Sequence, residues 1–172
     1  MTRGERAASA LLVESGADRA PVDVDGIARR LGLVVTKERL AADLSGLLIR
    51  KAGEVPVIGV NTLHHPRRQR FTIAHELGHL RLNHKGEVIV DSGIQVNRRD
   101  AVAGSASVRD EREANAFAAE LLMPADLLDE HLGRLVGRRA GQASVVTGLA
   151  RIFDVSEEAM HYRLLNLGML SH

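Results

Sequence analysis

Residues 69–84 read QRFTIAHELGHLRLNH, and within them His75, Glu76 and His79 have the types and spacing to do chemistry. On an α-helix, residues four apart sit about 40° from one another around the axis, so His75 and His79 can offer two imidazole nitrogens to one ion. Glu76 falls about 100° round from His75, beside such an ion rather than under it. A carboxylate there can accept a proton from a water that the ion polarises. Ile73, Leu77 and Leu80 gather on the side away from the histidines, so the helix offers apolar residues to a core and its His pair to a protected cleft. Gly78 costs about 1 kcal/mol of helix propensity relative to Ala. Close approach of a neighbouring strand or of a substrate would account for it.

Two His one turn apart, with Glu after the first, form the pattern of zinc metalloproteases. Catalytic zinc takes three protein ligands and keeps a fourth position open. The chain has no Cys, which excludes disulfides and thiolate sites and leaves His, Asp or Glu as the third ligand. The segment DEREANAFAAELLMP (110–124) holds Glu111, Glu113 and Glu120. With Glu111 at 0° on a helical wheel, Asn115, Ala118 and Leu122 fall within about 40° of it, whereas Glu113 and Glu120 fall near about 200° and 180°. Glu111 thus points with small and apolar residues, where a carboxylate is costly unless paired or bound to metal. Glu111 is the expected third ligand with Glu113 in reserve, and Glu113 and Glu120 are otherwise expected on the solvent face. A salt bridge from Glu111 to Arg68 or Arg70 is the competing assignment. Asn115, one turn on, is placed to orient a ligating His through a hydrogen bond.

The remaining histidines fit the site less well. His84 falls well round the helix from the His pair and is expected on the surface, and His64 and His65 precede Pro66 in a turn. A third His ligand would need the extension His-x-x-Gly-x-x-His. Gly86 is out of place for that, and no His follows His84 until His131.

These groups need a body to hold them. A chain of 172 residues suffices for one domain with a core, or for a domain with a small appendage. Apolar residues make up 45% and aromatics only 2%, so the core rests on Leu, Val, Ile and Ala. The 23 Lys and Arg nearly balance the 22 Asp and Glu, giving a formal charge of +1 and no global electrostatic case for nucleic acid or a membrane surface. The apolar run AASALLV is too short to span a bilayer and meets Glu14 at once. No cleavage signal follows it, so the expected compartment is the cytoplasm.

GERAASALLVESG (4–16) has helical spacing and stops at Gly16, and PVDVDGIARRLGLVV (21–35) repeats the plan with Asp23 or Asp25 as cap and Gly32 as stop. The β-branched runs LVVTKE, LSGLLIRK and VPVIGVN predict three short strands, with EVIV (87–90) as a further one. A long helix is expected after Pro66. Residues 91–108 show no period and are expected as a long loop. A helix closed by Pro124 follows, then a helix over ADLLDEHLGRLV, a connector GRRAGQAS (137–144) and two helices around a Val-Ser turn. The fold expected is α+β: a small, mostly antiparallel sheet packed with the His-Glu-x-x-His helix and a second, Glu-bearing helix. Residues 1–136 would form the zincin-like body, and residues 137–172 a helix-turn-helix-like subdomain packed on it or linked to it.

The last two helices carry a rival function. GLARIFDVSEEAMHYRLLNLGML has the layout of a helix-turn-helix with Ser156 as cap, and Arg163 and His161 could reach for bases or phosphates. Against this, the second helix opens SEEA, placing two acids where a recognition helix meets DNA. A hairpin packed on the body is the favoured expectation, while the basic GRRAG keeps DNA binding open. Tyr162, the one Tyr, and His161 are the side chains considered for stabilising an oxyanion, with no spacing that brings either to the His pair.

RFTIAHELGHL and EREANAFAAELLMP, preceded by the strand ending VIGVN, resemble the ImmA/IrrE family of metallopeptidases over about residues 20–130. That resemblance implies a Zn2+-dependent endopeptidase in which His75 and His79 match the two His ligands and Glu76 the general base. Glu111 matches the ligand of a Glu-x-x-Ala-Asn segment. Members typically relieve repression by cleaving a helix-turn-helix repressor, often from mobile elements or stress-response systems, so such a repressor is the partner implied. The long gap between the two motifs departs from the pattern, and its loop (91–108) could alter substrate access. The alternative is a non-catalytic or DNA-binding transcriptional regulator with a structural or sensing metal site.

Overall fold

The computed structural model describes residues 1–92, 107–136 and 142–170. Helix α1 (Arg3–Ser15) opens with a capping box: the Thr2 hydroxyl accepts from the Glu5 N–H and the Glu5 carboxylate accepts from the Thr2 N–H. It closes at Gly16, whose φ of 63° suits a residue without Cβ. Helix α2 (Val24–Arg30) takes Asp23, not Asp25, as its cap.

Four strands follow the expected order: β1 (Val34–Glu38), β2 (Leu44–Ile49), β3 (Val57–Asn61) and β4 (Val88–Ser92). They lie side by side as β1-β3-β2-β4, with β2 antiparallel to β3 and β4, and β1 parallel to β3. Helix α3 (Pro66–Arg81), with Pro66 in its first turn, packs on β2 and β3. Its Ile73, Ala74 and Leu77 share one core with Leu48, Ile58, Val60 and Ile89 of the sheet. Gly46 on β2 allows the close fit, because a Cβ there would collide with the Thr72 side chain and the Gly59 carbonyl.

Helix α4 (Val108–Leu122) starts from a second capping box, Ser107 with Asp110, and packs against both α1 and α3. The neighbour that requires Gly78 is this helix, neither a strand nor a substrate. A Cβ on Gly78 would stand 3.1 Å from Ala114 Cα, 3.2 Å from the Ala114 carbonyl oxygen and 3.1 Å from the Phe117 ring.

Helices α5 (Ala125–Val136), α6 (Gln142–Phe153) and α7 (Glu157–Asn166) complete the described fold. Helix α6 begins at Gln142, inside the stretch expected as a connector, and the rest of that connector, 137–141, lies outside the described residues. Of the expected loop 91–108, Asp91 and Ser92 end β4 while Ser107 and Val108 start α4; the remainder also lies outside the described residues. Ser156 caps α7 as expected.

Two expectations about charged side chains are corrected here. Glu120, assigned to solvent by the wheel of α4, is only 5% exposed, because α1 and α7 cover that face. It accepts from the Ser9 hydroxyl at 3.1 Å and pairs with Arg163. Arg163, a candidate for reaching bases or phosphates, is 4% exposed. Its guanidinium also donates to the Met123 carbonyl at 3.2 Å and to Glu5 at 3.1 Å, so it fastens α7 to α1 and α4 and is closed to DNA. No helix among the described residues is long and apolar enough to cross a membrane.

Candidate metal centre

Every residue of α3 from Thr72 to His79 is buried, which carries the polar trio His75, Glu76 and His79 into the protein. The Nε2 atoms of His75 and His79 stand 3.0 Å apart and face the two oxygens of the Glu111 carboxylate on α4, His75 at 3.3 Å from Oε2 and His79 at 3.3 Å from Oε1. Three donors held about 2.0–2.1 Å from a common tetrahedral centre stand roughly 3.3 Å from one another. The donor set therefore fits a small divalent cation: two imidazoles, one carboxylate, and no competing lysine or arginine on Glu111 among the described residues. Arg68 instead donates to the Ser45 hydroxyl at 2.8 Å, and Arg70 to the Val22 carbonyl at 3.1 Å. The salt bridge weighed against a ligand role for Glu111 is not formed.

Burial pushes the Glu111 carboxyl up, but hydrogen bonds from His75 and His79 more than offset it and hold the group at about 2. It is an anion at any working pH. For His75, burial lowers the ring's basicity while the Glu111 hydrogen bond raises it, and the net displacement is upward. Asn115 sits where the helical wheel put it, its Oδ1 accepting from His75 Nδ1 at 3.1 Å.

Glu76 has no exposed surface, and neither carboxyl oxygen has a hydrogen-bond partner. Burial raises its pKa to about 8, with His75 opposing and the charges of Asp91 and Glu111 adding to the rise. Asp91 is a site residue that sequence reasoning missed. It is the next-to-last residue of β4, opposite Gly46, and its carboxylate lies within 4.8 Å of the donor atoms of His75 and Glu76. The only local signal was an acid closing a strand-like run.

His84 and Glu113 also differ from expectation. Helix α3 ends at Arg81, and Asn83 turns the chain at φ 53°, so the wheel no longer applies at His84. The His84 N–H returns to the His79 carbonyl at 3.0 Å, and the ring is buried under His79, Nδ1 to Nδ1 at 3.0 Å. Glu113, reserve ligand or solvent charge by sequence, does neither. It lies outside the ligand group, accepting from Arg3 at 2.7 Å and Arg109 at 3.0 Å with His84 Nε2 at 3.4 Å. Tyr162 and His161 lie exposed on α7 against each other.

A small sheet carrying a two-histidine helix, with a glutamate helix packed across it, defines an α+β protein with a candidate three-donor metal site. The chain belongs to the peptidase family described as the IrrE N-terminal-like domain, whose model matches residues 28–165 and so takes in α3, α4 and most of α7. It is 36% identical over 112 residues to the radiation response metalloprotease IrrE of Deinococcus deserti, a stretch covering 63% of this chain and 35% of that protein. Among solved structures it is similar to a Mycobacterium tuberculosis transcriptional regulator, with a TM-score of 0.59 at 19% identity over 95% of this chain and 47% of the other. That similarity concerns the fold. The chain spans about a third of the length of the curated relative and about half that of the solved one.

Proposed function

We propose that this protein is a zinc-dependent endopeptidase that cleaves a regulatory protein, a helix-turn-helix repressor by preference. The observation carrying the proposal is Glu76: a fully buried carboxyl without a partner, on the same helical turn as two of the three candidate donors. His75, His79 and Glu111 would hold the ion, which when bound would polarise the attacking water and the scissile carbonyl. Glu76 takes the water's proton and delivers it to the leaving amine, a task suited to a carboxyl whose pKa is raised toward neutrality. Asn115 orients His75, and Asp91 keeps Glu76 basic through its charge.

Substrate geometry follows from the sheet. Among the described residues β4 pairs only with β2, and Val88 and Val90 are exposed on it. An extended peptide adding to the other edge of β4 runs past Asp91 toward Glu76. A repressor loop fits that demand. The name of the Deinococcus deserti relative supports a stress-response setting. We further propose that residues 137–172 act as a helical subdomain fastened to the body, and that the protein works in the cytoplasm.

The second reading, a DNA-binding regulator with a sensing metal site, draws on the name of the solved neighbour. The burial of Arg163 counts against it. The deciding experiment measures metal content by mass spectrometry and cleavage of a repressor encoded beside the gene, for wild type and Glu76→Gln. Zinc near one per chain in both, with cleavage only in wild type, is the expected result. Cleavage that survives Glu76→Gln would sink the peptidase proposal.

A further inference from the structure

We infer that His84 is a positioning residue that fixes the tautomer of His79, and that Glu113 in turn fixes the tautomer of His84. The inference rests on the proposal that His79 ligates the metal through Nε2. That nitrogen faces Glu111 at 3.3 Å and His75 at 3.0 Å, so as a ligand it needs its lone pair and the ring proton belongs on Nδ1.

His79 Nδ1 meets His84 Nδ1 at 3.0 Å. Two ring nitrogens bond only when one carries hydrogen and the other does not. His79 therefore donates, His84 Nδ1 accepts, and the proton of His84 sits on Nε2. That nitrogen lies 3.4 Å from Glu113 Oε2 and 3.6 Å from Asp110 Oδ1, both of which only accept. One proton arrangement satisfies the whole chain: Glu113 accepts from His84 Nε2–H, His84 Nδ1 accepts from His79 Nδ1–H, and His79 Nε2 stays free. The opposite arrangement turns a lone pair of His84 toward two carboxylates and puts hydrogen on the face of His79 that meets Glu111.

The cluster is built to hold still. Arg3 and Arg109 pin Glu113, and Arg3 also donates to the Leu82 carbonyl at 2.9 Å, two residues before His84. His84 is 3% exposed, with its backbone fixed on the His79 carbonyl. The two histidines are thus steadied by different means, His75 by an amide oxygen and His79 by a second imidazole backed by a carboxylate.

The test uses the full chain loaded with zinc. Long-range proton–nitrogen NMR should show His84 with hydrogen on Nε2 and a bare Nδ1; hydrogen on Nδ1 overturns the inference and needs no variant that must fold. Zinc affinity by chelator competition supplies a second readout. His84→Leu should lose about 10–100-fold, while His84→Asn, whose amide oxygen can accept where Nδ1 did, should stay much closer to wild type. If His84→Leu binds zinc like wild type, or His84→Asn is as weak as His84→Leu, the ring is only filling space. His79→Ala separates the two levels of argument. If it keeps wild-type affinity, the ligand assignment of His79 fails and the role of His84 with it. If it loses zinc while His84→Leu does not, only the present inference falls.

Discussion

His75 Nδ1 donates to Asn115 Oδ1 across 3.1 Å, joining two helices through residues 40 apart in sequence. The bond leaves Nε2 of His75 facing Glu111 and fixes the orientation of the ring. Asn115→Ala should therefore weaken zinc binding by about 10-fold. Asn115→Asp, which keeps an acceptor, should bind more tightly than Asn115→Ala by a clear margin. Chelator competition on the purified variants measures both.

The metal-free protein should lose stability as pH rises. The folded pKa of Glu76 is raised from 4.5 to about 8, with burial as the main cause, so the fold disfavours its ionised form. Stability from this group is complete below pH 4.5, falls between 4.5 and 8, and is flat above. Glu76→Gln removes the dependence. At pH 8.5 the metal-free variant should melt above metal-free wild type by at least about 3 °C, the shift expected of 1 kcal/mol in a chain of this size. At pH 5 the gap should narrow. A gap that is the same at both values in calorimetry would count against a neutral, buried Glu76.

Asp91 should tune the base. After burial and the opposing His75, its charge is the next influence on Glu76, and it acts upward. Asp91→Asn should lower the Glu76 pKa and move the acid limb of the kcat/KM profile to lower pH. An unmoved acid limb with normal zinc content would remove Asp91 from the site.

Breaking the Arg163 cluster should be costly. Arg163→Ala leaves Glu120 buried and uncompensated, a loss of about 3–5 kcal/mol by urea denaturation. Replacing Arg163 and Glu120 together by Met and Leu should recover much of that. The wild-type protein should show no DNA retardation at physiological salt that depends on Arg163.

Gly78→Ala sets helix propensity against packing. Alanine gains about 1 kcal/mol in the isolated helix, but its Cβ meets the backbone of Ala114, which can give way only if α4 moves. Since α4 carries Glu111, the variant should lose zinc affinity more than it loses thermal stability. Titration and melting on one preparation compare the two.

Local pattern carried much of this fold into the sequence, and tertiary covering hid the rest. The spacing of His75, Glu76 and His79 and the inward turn of Glu111 are helical facts, legible at 100° per residue. The same wheel failed for His84 because Asn83 ends the helix geometry one residue earlier. It failed for Glu113 and Glu120 because α4 has no solvent side there: α1 and α7 occupy it, and no local pattern announces a second covering layer. Asp91 was illegible for another reason. Its place depends on β4 pairing with β2, a register set across the sheet.

Helix α1 brings no candidate ligand, yet its first turn meets partners far along the chain. Arg3 bonds to Glu113 and to the Leu82 carbonyl, and Glu5 to Arg163, across 110, 79 and 158 residues. Contacts of such span form late, because a long loop must close before they are gained. During synthesis Arg3 waits for Leu82 and Glu113, and Glu5, already bonded to the Thr2 N–H, waits for Arg163. The support under His79 can be fastened once Glu113 has emerged, and the anchor of α7 only once Arg163 has. The support of the candidate metal site should therefore precede the anchor of α7, and a chain stopped between α4 and α7 should keep the Arg3–Glu113 bond while lacking the Arg163 cluster.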